Sequence, residues 1–342
     1  MTSSANDLAR RRFLRLAAGA ALAVPDAGAA ADRGRKRLGG IFPIAQTPFT
    51  DDGKLDLDVL VEEVRFLDRG GVHGFVWPQL ASEWATLTED ERLAGMEAVA
   101  AAGKSLRTAI VLGVQAADAT GAVRYARHAR KAGADALIAL PPPGQADAAE
   151  VTRYFQEIGK ATGLPLFLQA VGNVGIDLIA GLVKAVPTLR YVKDEAGQPL
   201  MRIAPLKEKI AGEVHVFSGG HGRTLIDEME RGFAGSMPAA SFADLYAAVW
   251  DAWQAGKRRE AMEIFARTAM LIHEISVYGI ESLKYILCLR GVFKNTHIRG
   301  TQRGKVRAGE DLAGLGSRSR LDETARKVIR DMLEAAKPYL RA

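Results

Sequence analysis

Short apolar segments alternate with longer amphipathic segments eight times between residues 40 and 256. The apolar segments have the length of single strands, and the amphipathic segments carry apolar residues at helical spacing. Eight consecutive strand–helix units in about 215 residues are typical of a closed (β/α)8 barrel, the TIM barrel. The near-continuous apolar character of the strands fits a parallel sheet covered by helices. We therefore predict an α/β fold with a barrel over residues 40–256.

An open, doubly wound sheet is the competing architecture. Such a sheet usually carries a G-x-G-x-x-G turn after its first strand, where a helix N-terminus meets a dinucleotide. The corresponding segment here reads "AQTPFTDDGKLD" and lacks that spacing of glycines. The sequence therefore favours the closed barrel.

Beyond residue 256 the pattern changes to helices alone. The segments "REAMEIFARTAMLIHEISVYG", "IESLKYILCLRGVF" and "ETARKVIRDMLEAAKPYL" are each amphipathic, and a polar, glycine-rich loop separates the last two. We predict a C-terminal helical region over residues 257–342 that packs on one side of the barrel.

The first 30 residues have a different character from the rest of the chain. Paired arginines, Arg10 and Arg11, precede a weakly apolar run from Leu16 to Val24, and small residues follow. This order is typical of an export signal, and the paired arginines indicate the twin-arginine route. We expect a periplasmic protein with no membrane attachment once the signal is removed, because the run is too short to span a bilayer. The alternative is a disordered basic tail on a cytoplasmic protein.

Charge and cysteine content exclude two classes of protein. The net charge is +6, and residues 290–342 hold 13 basic against 6 acidic side chains. No recognisable nucleic-acid-reading element accompanies this excess, so we predict no nucleic-acid partner. The single cysteine, Cys288, excludes an internal disulfide framework.

The predicted sixth strand, "LRYVK", ends on Lys193. Barrel enzymes carry their active sites at the carboxyl ends of the strands, and this is the one predicted strand end that offers an amine. An amine in an apolar barrel mouth has a lowered pKa and can attack a ketone to form an imine, which then acts as an electron sink. The alternative is a structural lysine paired with Glu83, Asp194 or Glu195.

Five motifs along the chain carry a family resemblance: "TPFTDDGKLD", "SEWATLTEDER", "GAD", "YVKDEAG" and "GFAGSM". In this order and spacing, over residues 40–293, the sequence resembles the dihydrodipicolinate synthase and N-acetylneuraminate lyase family of class I aldolases. The resemblance implies that Lys193 is the Schiff-base lysine of an aldolase or dehydratase. It also implies a 2-oxo acid substrate, such as pyruvate or a keto-deoxy sugar acid, no metal or organic cofactor, and a homo-oligomer, a tetramer or a dimer.

The chain departs from the family where the substrate carboxylate is bound. The family segment "GTTGE" after strand two supplies two threonine hydroxyls, whereas this chain has Leu80 and Ala81 at those positions. Backbone N–H groups could still bind a carboxylate there, and Ser82 is a further candidate. By analogy with the family, Gly219 and Met237 would offer backbone groups to the substrate.

The proton relay of the family is also altered. Gln169 replaces the strand-five tyrosine, and only prolines stand where strand four usually ends on a tyrosine. An amide cannot give and take a proton as a phenol can, so Gln169 would orient a water or a substrate hydroxyl. His221 and Glu83 are the candidate replacements. The alternatives are an exposed loop histidine and a glutamate that fixes the strand-two loop, and the pair Asp194–Glu195 is expected to cap the next helix.

These departures limit the function that the sequence predicts. Lys193 and Gln169 are the predicted catalytic residues. The predicted substrate-binding residues are Leu80, Ala81, Ser82, Glu83, Gly219, His221 and Met237. Genuine dihydrodipicolinate synthase activity is not expected, since the relay tyrosine is missing and lysine biosynthesis is cytoplasmic. The competing function is a non-catalytic periplasmic 2-oxo acid binding protein that keeps the barrel without the relay.

Overall fold

Most of the chain beyond the N-terminal segment is described by the structure, a computed structural model. It describes residues 36–144, 147–210, 212, 214–299 and 321–342. The predicted export signal over residues 1–30 and most of the predicted polar loop before the last helix lie outside the described residues. Residues 36–342 form one compact unit.

Eight parallel strands form the barrel, as the alternating sequence pattern predicts. The strands are β1 (Gly40–Ile41), β2 (Gly74–Trp77), β3 (Ala109–Gly113), β4 (Ala136–Ala139), β5 (Leu166–Ala170), β6 (Leu189–Asp194), β7 (His215–Ser218) and β8 (Gly235–Ser236). They pair in the order β1-β8-β7-β6-β5-β4-β3-β2. The two ends of this order meet beyond β1, where Ile44 bridges both Val76 and Ala239. The sheet is therefore closed, and the (β/α)8 prediction is confirmed.

A helix follows each strand along the chain. The helices of the barrel are α1 (Leu57–Arg69), α2 (Glu89–Gly103), α3 (Ala119–Ala132), α4 (Ala148–Thr162), α5 (Ile176–Ala185), α6 (Pro199–Ile210), α7 (Leu225–Glu230) and α8 (Ala243–Gln254). Thr88 begins α2 with a capping box, in which its hydroxyl accepts from the N–H of Glu91 and the Glu91 carboxylate accepts from the N–H of Thr88. The two backbone N–H groups, which have no partner within the helix, thereby each gain a hydrogen-bond acceptor.

Aromatic side chains fill the barrel interior below the strand ends. The rings of Phe42 and Phe217 meet edge to face at 5.4 Å, and Phe167 lies 5.3 Å from Phe217. Tyr191 stacks on Phe167 at 4.4 Å. The interior is a packed core rather than a channel, so a substrate can be admitted only at the mouth of the barrel.

Two further helices, α9 (Arg258–Leu289) and α10 (Glu323–Ala336), follow the barrel. The sequence predicts two helices across the α9 span, and Gly279, at φ 63° and ψ −147°, does interrupt the helical backbone there. The two helices share a second apolar cluster with α8, in which Leu271, Ile286 and Ile329 are fully buried. None of the helices in the described ranges has an apolar stretch long enough to cross a bilayer.

Candidate active site at the barrel mouth

Lys193 lies near the carboxyl end of β6 and faces the barrel interior. Side chains two residues apart on a strand share a face, so Lys193 points to the same side as Tyr191, which belongs to the interior. The strand register places Lys193 beside Gln169 on β5 and Phe217 on β7. The lysine side chain is 5% exposed.

A pocket opens at the strand ends above the aromatic core. It contains about 320 Å³ of space outside the protein atoms, including its opening to solvent. Its lining residues are Ile44, Gln79, Leu80, Ala81, Gln169, Lys193, Glu195, Gly220, His221, Met237, Pro238 and Ala239. The predicted residues Lys193, Gln169, Leu80, Ala81, His221 and Met237 therefore come together, although they are distributed over five of the strand ends.

Glu195 is the central polar residue of this pocket. Its Oε2 atom lies 3.0 Å from Lys193 Nζ and accepts a hydrogen bond of 2.6 Å from Gln169 Nε2. Its Oε1 atom accepts a bond of 3.0 Å from the backbone N–H of Gly220. The expectation that Glu195 caps the next helix is wrong, because its carboxylate points into the barrel mouth and is held there by three donors.

The electrostatics of the pocket keep Glu195 ionised. Burial alone would raise its pKa, but the positive charge of Lys193, the N–H of Gly220 and the amide of Gln169 together lower the pKa below its ordinary value. Asp194 behaves differently, since burial raises its pKa and it faces outward. Its carboxylate accepts 2.9 Å from Arg202 Nε and 3.2 Å from the N–H of Ala196, just before α6.

Gly219 makes room for the glutamate. A Cβ atom at this position would overlap the Glu195 carboxylate, including its Oε1 atom. Gly219 is absent from the pocket lining, so it contributes by leaving space for Glu195. The contact between a backbone group of Gly219 and the substrate stays a prediction.

His221 lies in a short turn after β7, Gly220–Gly222, and forms part of the pocket wall. It is 7% exposed, so the alternative of an exposed loop histidine is wrong. Its backbone adopts the left-handed conformation at φ 60°, which is uncommon for a residue with a side chain. The Tyr246 hydroxyl donates 2.6 Å to the carbonyl of His221 and secures this strained turn.

The loop after β2 supplies an apolar wall. Leu80 and Ala81 line the pocket. Ser82 does not, because its hydroxyl donates to the carbonyl of Ala45 and its own carbonyl accepts from Thr47. The predicted contact of Ser82 with the substrate is thus unsupported by its position, since the hydroxyl is used to fasten the loop to the segment after β1.

Glu83 also points away from the pocket. Its Oε1 atom lies 2.5 Å from the Nζ atom of Lys284 on α9, and both side chains are almost fully buried. Its Oε2 atom accepts 3.0 Å from the N–H of Arg299. The prediction of Glu83 as a substrate ligand or relay group is therefore replaced by the alternative, a residue that fixes the β2 loop, here against the C-terminal region.

Two amide oxygens in the pocket lack hydrogen-bond partners among the described residues: those of Gln79 and Gln169. Their orientations follow from their neighbours. Gln115 must donate 2.9 Å to the carbonyl of Pro78, so its oxygen accepts 2.8 Å from the Gln79 amide. Gln169 must donate to the Glu195 carboxylate. The side-chain oxygens of Gln79 and Gln169 are therefore acceptors without a donor among the described residues. Buried acceptors in proteins are normally hydrogen-bonded.

The position of Glu195 in the sequence, directly after a strand and before a helix, fits either a helix cap or a residue of the pocket. An acidic residue directly after a strand and before a helix usually caps that helix. Its recruitment into the pocket depends on Gly219 and Gly220, which come from the next strand end. Gln79 was missed because an amide in a loop has no distinctive pattern.

The family model described as "Dihydrodipicolinate synthetase family" matches residues 37–301. The chain belongs to the dihydrodipicolinate synthetase family. Members of this family are class I aldolase-type lyases, so the protein is a lyase of this family by descent. Among the described residues no group of three or more His, Cys, Asp or Glu side chains could hold a metal ion.

Individual relatives agree with this membership. The chain is 31% identical over 274 residues to 4-hydroxy-tetrahydrodipicolinate synthase 1 of Streptomyces coelicolor, covering 77% of this chain and 85% of that protein. It is 26% identical to the dihydrodipicolinate synthase of Rhodopseudomonas palustris, with a TM-score of 0.73 over 88% of this chain and 99% of that one. A prophage protein of the family from E. coli, solved in complex with pyruvate, shares the fold at 20% identity and a TM-score of 0.74, covering 88% and 99% of the two chains.

Proposed function

We propose that the protein is a Schiff-base-forming lyase, an aldolase or dehydratase, that acts on a 2-oxo acid such as pyruvate or a keto-deoxy sugar acid. The observation that carries this proposal is the Nζ atom of Lys193 in the pocket at the strand ends of the barrel. Lys193 would attack the 2-oxo carbon, and the protonated imine would stabilise a carbanion or enamine on the adjacent carbon. All of this chemistry can be supplied by the side chains of the chain itself.

The charges and acceptors in the pocket favour a substrate with hydroxyl groups. Lys193 forms an ion pair with Glu195, so its charge is balanced within the pocket. The apolar Leu80 and Ala81 offer no hydroxyl to the substrate carboxylate. The amide oxygens of Gln79 and Gln169 have no partner among the described residues and would accept from substrate hydroxyl groups, which pyruvate lacks. We therefore favour a keto-deoxy sugar acid over pyruvate as the physiological substrate.

Adduct trapping tests the proposal directly. The protein is incubated with borohydride and a panel of 2-oxo acids that differ in chain length and hydroxylation, and the products are analysed by intact and peptide mass spectrometry. A reduced adduct on Lys193 is expected, with hydroxylated members of the panel trapped at lower concentration than pyruvate. The Lys193→Ala variant should give no adduct. An adduct on another lysine would contradict the assignment.

A non-catalytic periplasmic 2-oxo acid binding protein is the second candidate. The observation in its favour is that Lys193 is engaged by Glu195. In a lyase this contact would have to loosen before the amine could attack a ketone. The second candidate predicts that ligands raise the melting temperature while no 2-oxo acid is trapped or turned over.

Export through the twin-arginine route is proposed from Arg10, Arg11 and the residues that follow them. Expression of the full chain in a bacterium, followed by cell fractionation, would test it. Processed protein should appear in the periplasm, and replacement of both arginines by lysine should keep the precursor in the cytoplasm. Unchanged fractionation of the double variant would favour the cytoplasmic alternative.

Self-association is proposed because members of this family are typically oligomeric. We expect a homo-oligomer, a tetramer or a dimer, since closed symmetric assemblies are the commonest oligomers of soluble proteins. Light scattering coupled to size-exclusion chromatography measures the assembly mass directly. A mass equal to the 36.7 kDa of the single chain would contradict this proposal.

A further inference from the structure

We propose that the carboxylate of Glu195 is the acid–base group that moves protons between Lys193 and the substrate, in place of the tyrosine that β5 lacks. This inference rests on the proposed imine chemistry and adds a residue to it. The supporting geometry is the 3.0 Å distance from Glu195 Oε2 to Lys193 Nζ, which is within reach for direct proton transfer. Glu195 therefore touches the atom that reacts.

Other groups near the amine are poorly suited to this role. Gln169 is an amide without a transferable proton near neutral pH. Asp194 is on the same strand but faces outward to Arg202. His221 lines the same pocket from the turn after β7. Glu195 is a titratable group whose Oε2 atom lies within hydrogen-bond distance of Lys193 Nζ.

The surroundings of Glu195 hold it in a reactive position. Gln169 binds Oε2, the N–H of Gly220 binds Oε1, and Gly219 leaves the space that the carboxylate fills. Gln169 and Gly220 are therefore positioning residues, since they act through Glu195. Gln169 donates to the Glu195 carboxylate without a proton that it could give up near neutral pH, so proton transfer is left to Glu195.

Imine formation balances with Glu195 as the only proton carrier. Glu195 takes a proton from the Lys193 ammonium, and the freed lone pair attacks the 2-oxo carbon while the carbonyl π electrons move to oxygen. Glu195 then gives its proton to that oxygen and removes a proton from the nitrogen. It finally protonates the hydroxyl, which leaves as water while the nitrogen lone pair forms the C=N bond. The products are a protonated imine, one water molecule and the original carboxylate.

The charge of Lys193 controls the direction of these transfers. The ammonium favours the ionised form of Glu195, so the carboxylate begins as a base. Once the amine has lost its proton, burial dominates and favours the neutral acid, which is the form needed to protonate the departing hydroxyl. A buried carboxylate next to a lysine that loses its proton during the reaction can therefore serve first as a base and then as an acid.

The test measures the rate of adduct formation by rapid quenching with borohydride, with the 2-oxo acid that traps best on the wild-type protein. Glu195→Gln should slow trapping by about 100-fold, the usual size of a general acid–base contribution. Ligand binding, measured by calorimetry, should change little. Gln169 can turn its free oxygen toward the new amide, so the variant is expected to fold. Glu63→Gln is the matched control, since Glu63 is a buried glutamate outside the pocket lining and should leave the rate unchanged.

Two readouts separate proton transfer from a structural role. The wild-type rate should fall on the acid side as Glu195 becomes protonated, and Glu195→Gln should lose this limb while any effect of Lys193, Asp194 or His221 remains. Added formate should restore trapping to Glu195→Ala in proportion to its concentration, because a small carboxylate can enter the vacated space. Should Glu195→Gln be unstable, Glu195→Ala without added formate provides the same comparison, since it also lacks the carboxylate.

The outcomes distinguish this inference from the proposed function. Slow trapping in Glu195→Gln with rescue of Glu195→Ala by formate supports the acid–base role. A wild-type rate and an unchanged pH profile in Glu195→Gln would overturn it and leave the imine chemistry standing. If the wild-type protein itself traps no 2-oxo acid, the proposed function fails first and this inference fails with it.

Discussion

The carboxylate of Glu195 lies 3.0 Å from the amine of Lys193, two residues earlier in the chain, and both side chains are less than one-tenth exposed. The two residues are two positions apart at the end of β6, where the N–H of Glu195 still donates 2.8 Å to the carbonyl of Ala170, so strand alternation places both side chains on one face. The pairing partners of Glu195 come from β5 and from the turn after β7.

Gly219→Ala should disturb the pocket through Glu195. The added methyl group would overlap the carboxylate, and overpacking of this kind costs about 1–3 kcal/mol. Unfolding by urea should show this loss in the wild-type background. In the Glu195→Ala background the same substitution should cost much less, because the overlapping atoms are gone. Equal losses in both backgrounds would mean that Gly219 serves another purpose.

Leu80→Thr should strengthen the binding of 2-oxo acids by restoring one hydroxyl to the pocket wall. One added hydrogen bond contributes about 1 kcal/mol, or roughly a fivefold lower Kd for pyruvate. Leu80→Val is the control, since valine has nearly the shape of threonine without its hydroxyl. Calorimetric titration of the two variants measures the difference. Equal affinities would indicate that residue 80 does not face the substrate carboxylate.

Glu228→Gln should alter the pH dependence of stability. Glu228 is buried on α7 and accepts hydrogen bonds from Ser218 and Thr224, and burial raises its pKa to about 7. Because the folded pKa exceeds the unfolded value, the folded state binds more protons, and this stabilisation is complete at low pH and lost as pH rises toward the folded pKa. The wild-type protein should lose roughly 3 kcal/mol relative to Glu228→Gln between about pH 4.5 and about pH 7.

Urea unfolding of both proteins across this range measures the effect, and the difference between them should level off above about pH 7. The exposed Glu157→Gln provides a control that should show no such trend. A constant difference between wild type and Glu228→Gln at all pH values would contradict the raised pKa of Glu228.

Lys284→Met should strongly destabilise the protein. Lys284 is fully buried, pairs with Glu83 and donates 2.6 Å to the carbonyl of His297. Removing one partner of a buried pair leaves an uncompensated charge and typically costs about 3–5 kcal/mol. Adding Glu83→Gln to this variant should recover part of the loss, because the orphaned carboxylate is removed. The exposed pair of Lys160 with Glu157 is the comparison, and Lys160→Met should have little effect on thermal unfolding.

The barrel was predictable because its evidence is local. Each apolar run that ends at a turn specifies a strand, and some helix starts carry a side-chain cap, as Thr88 does for α2. The position of Lys193 at the mouth followed from the end of its strand. Even the interruption of α9 was indicated, since Gly279 separates two amphipathic patterns.

The site was less predictable because its contacts join distant segments. Asp194 and Glu195 are adjacent acidic residues, yet one faces Arg202 outside the barrel and the other faces Lys193 inside it. The alternation of a strand places Glu195 on the face of Lys193 and Asp194 on the opposite face, but the same two acidic residues before a helix also fit a helix cap, and the local sequence does not decide between the two. Glu83 was predicted to bind the substrate, with a structural role as the alternative, and its partner Lys284 lies 201 positions away, beyond the reach of any local pattern.

The absence of a side chain at Gly219 has an evolutionary consequence. A glutamate two positions after the lysine can enter the barrel mouth only if position 219 carries no Cβ atom, and it gains a hydrogen bond there when position 169 is an amide. These three positions should therefore have been acquired as a set. Relatives that carry glutamine, glutamate and glycine together would then form a lineage with one shared way of handling protons, identifiable from three letters of sequence.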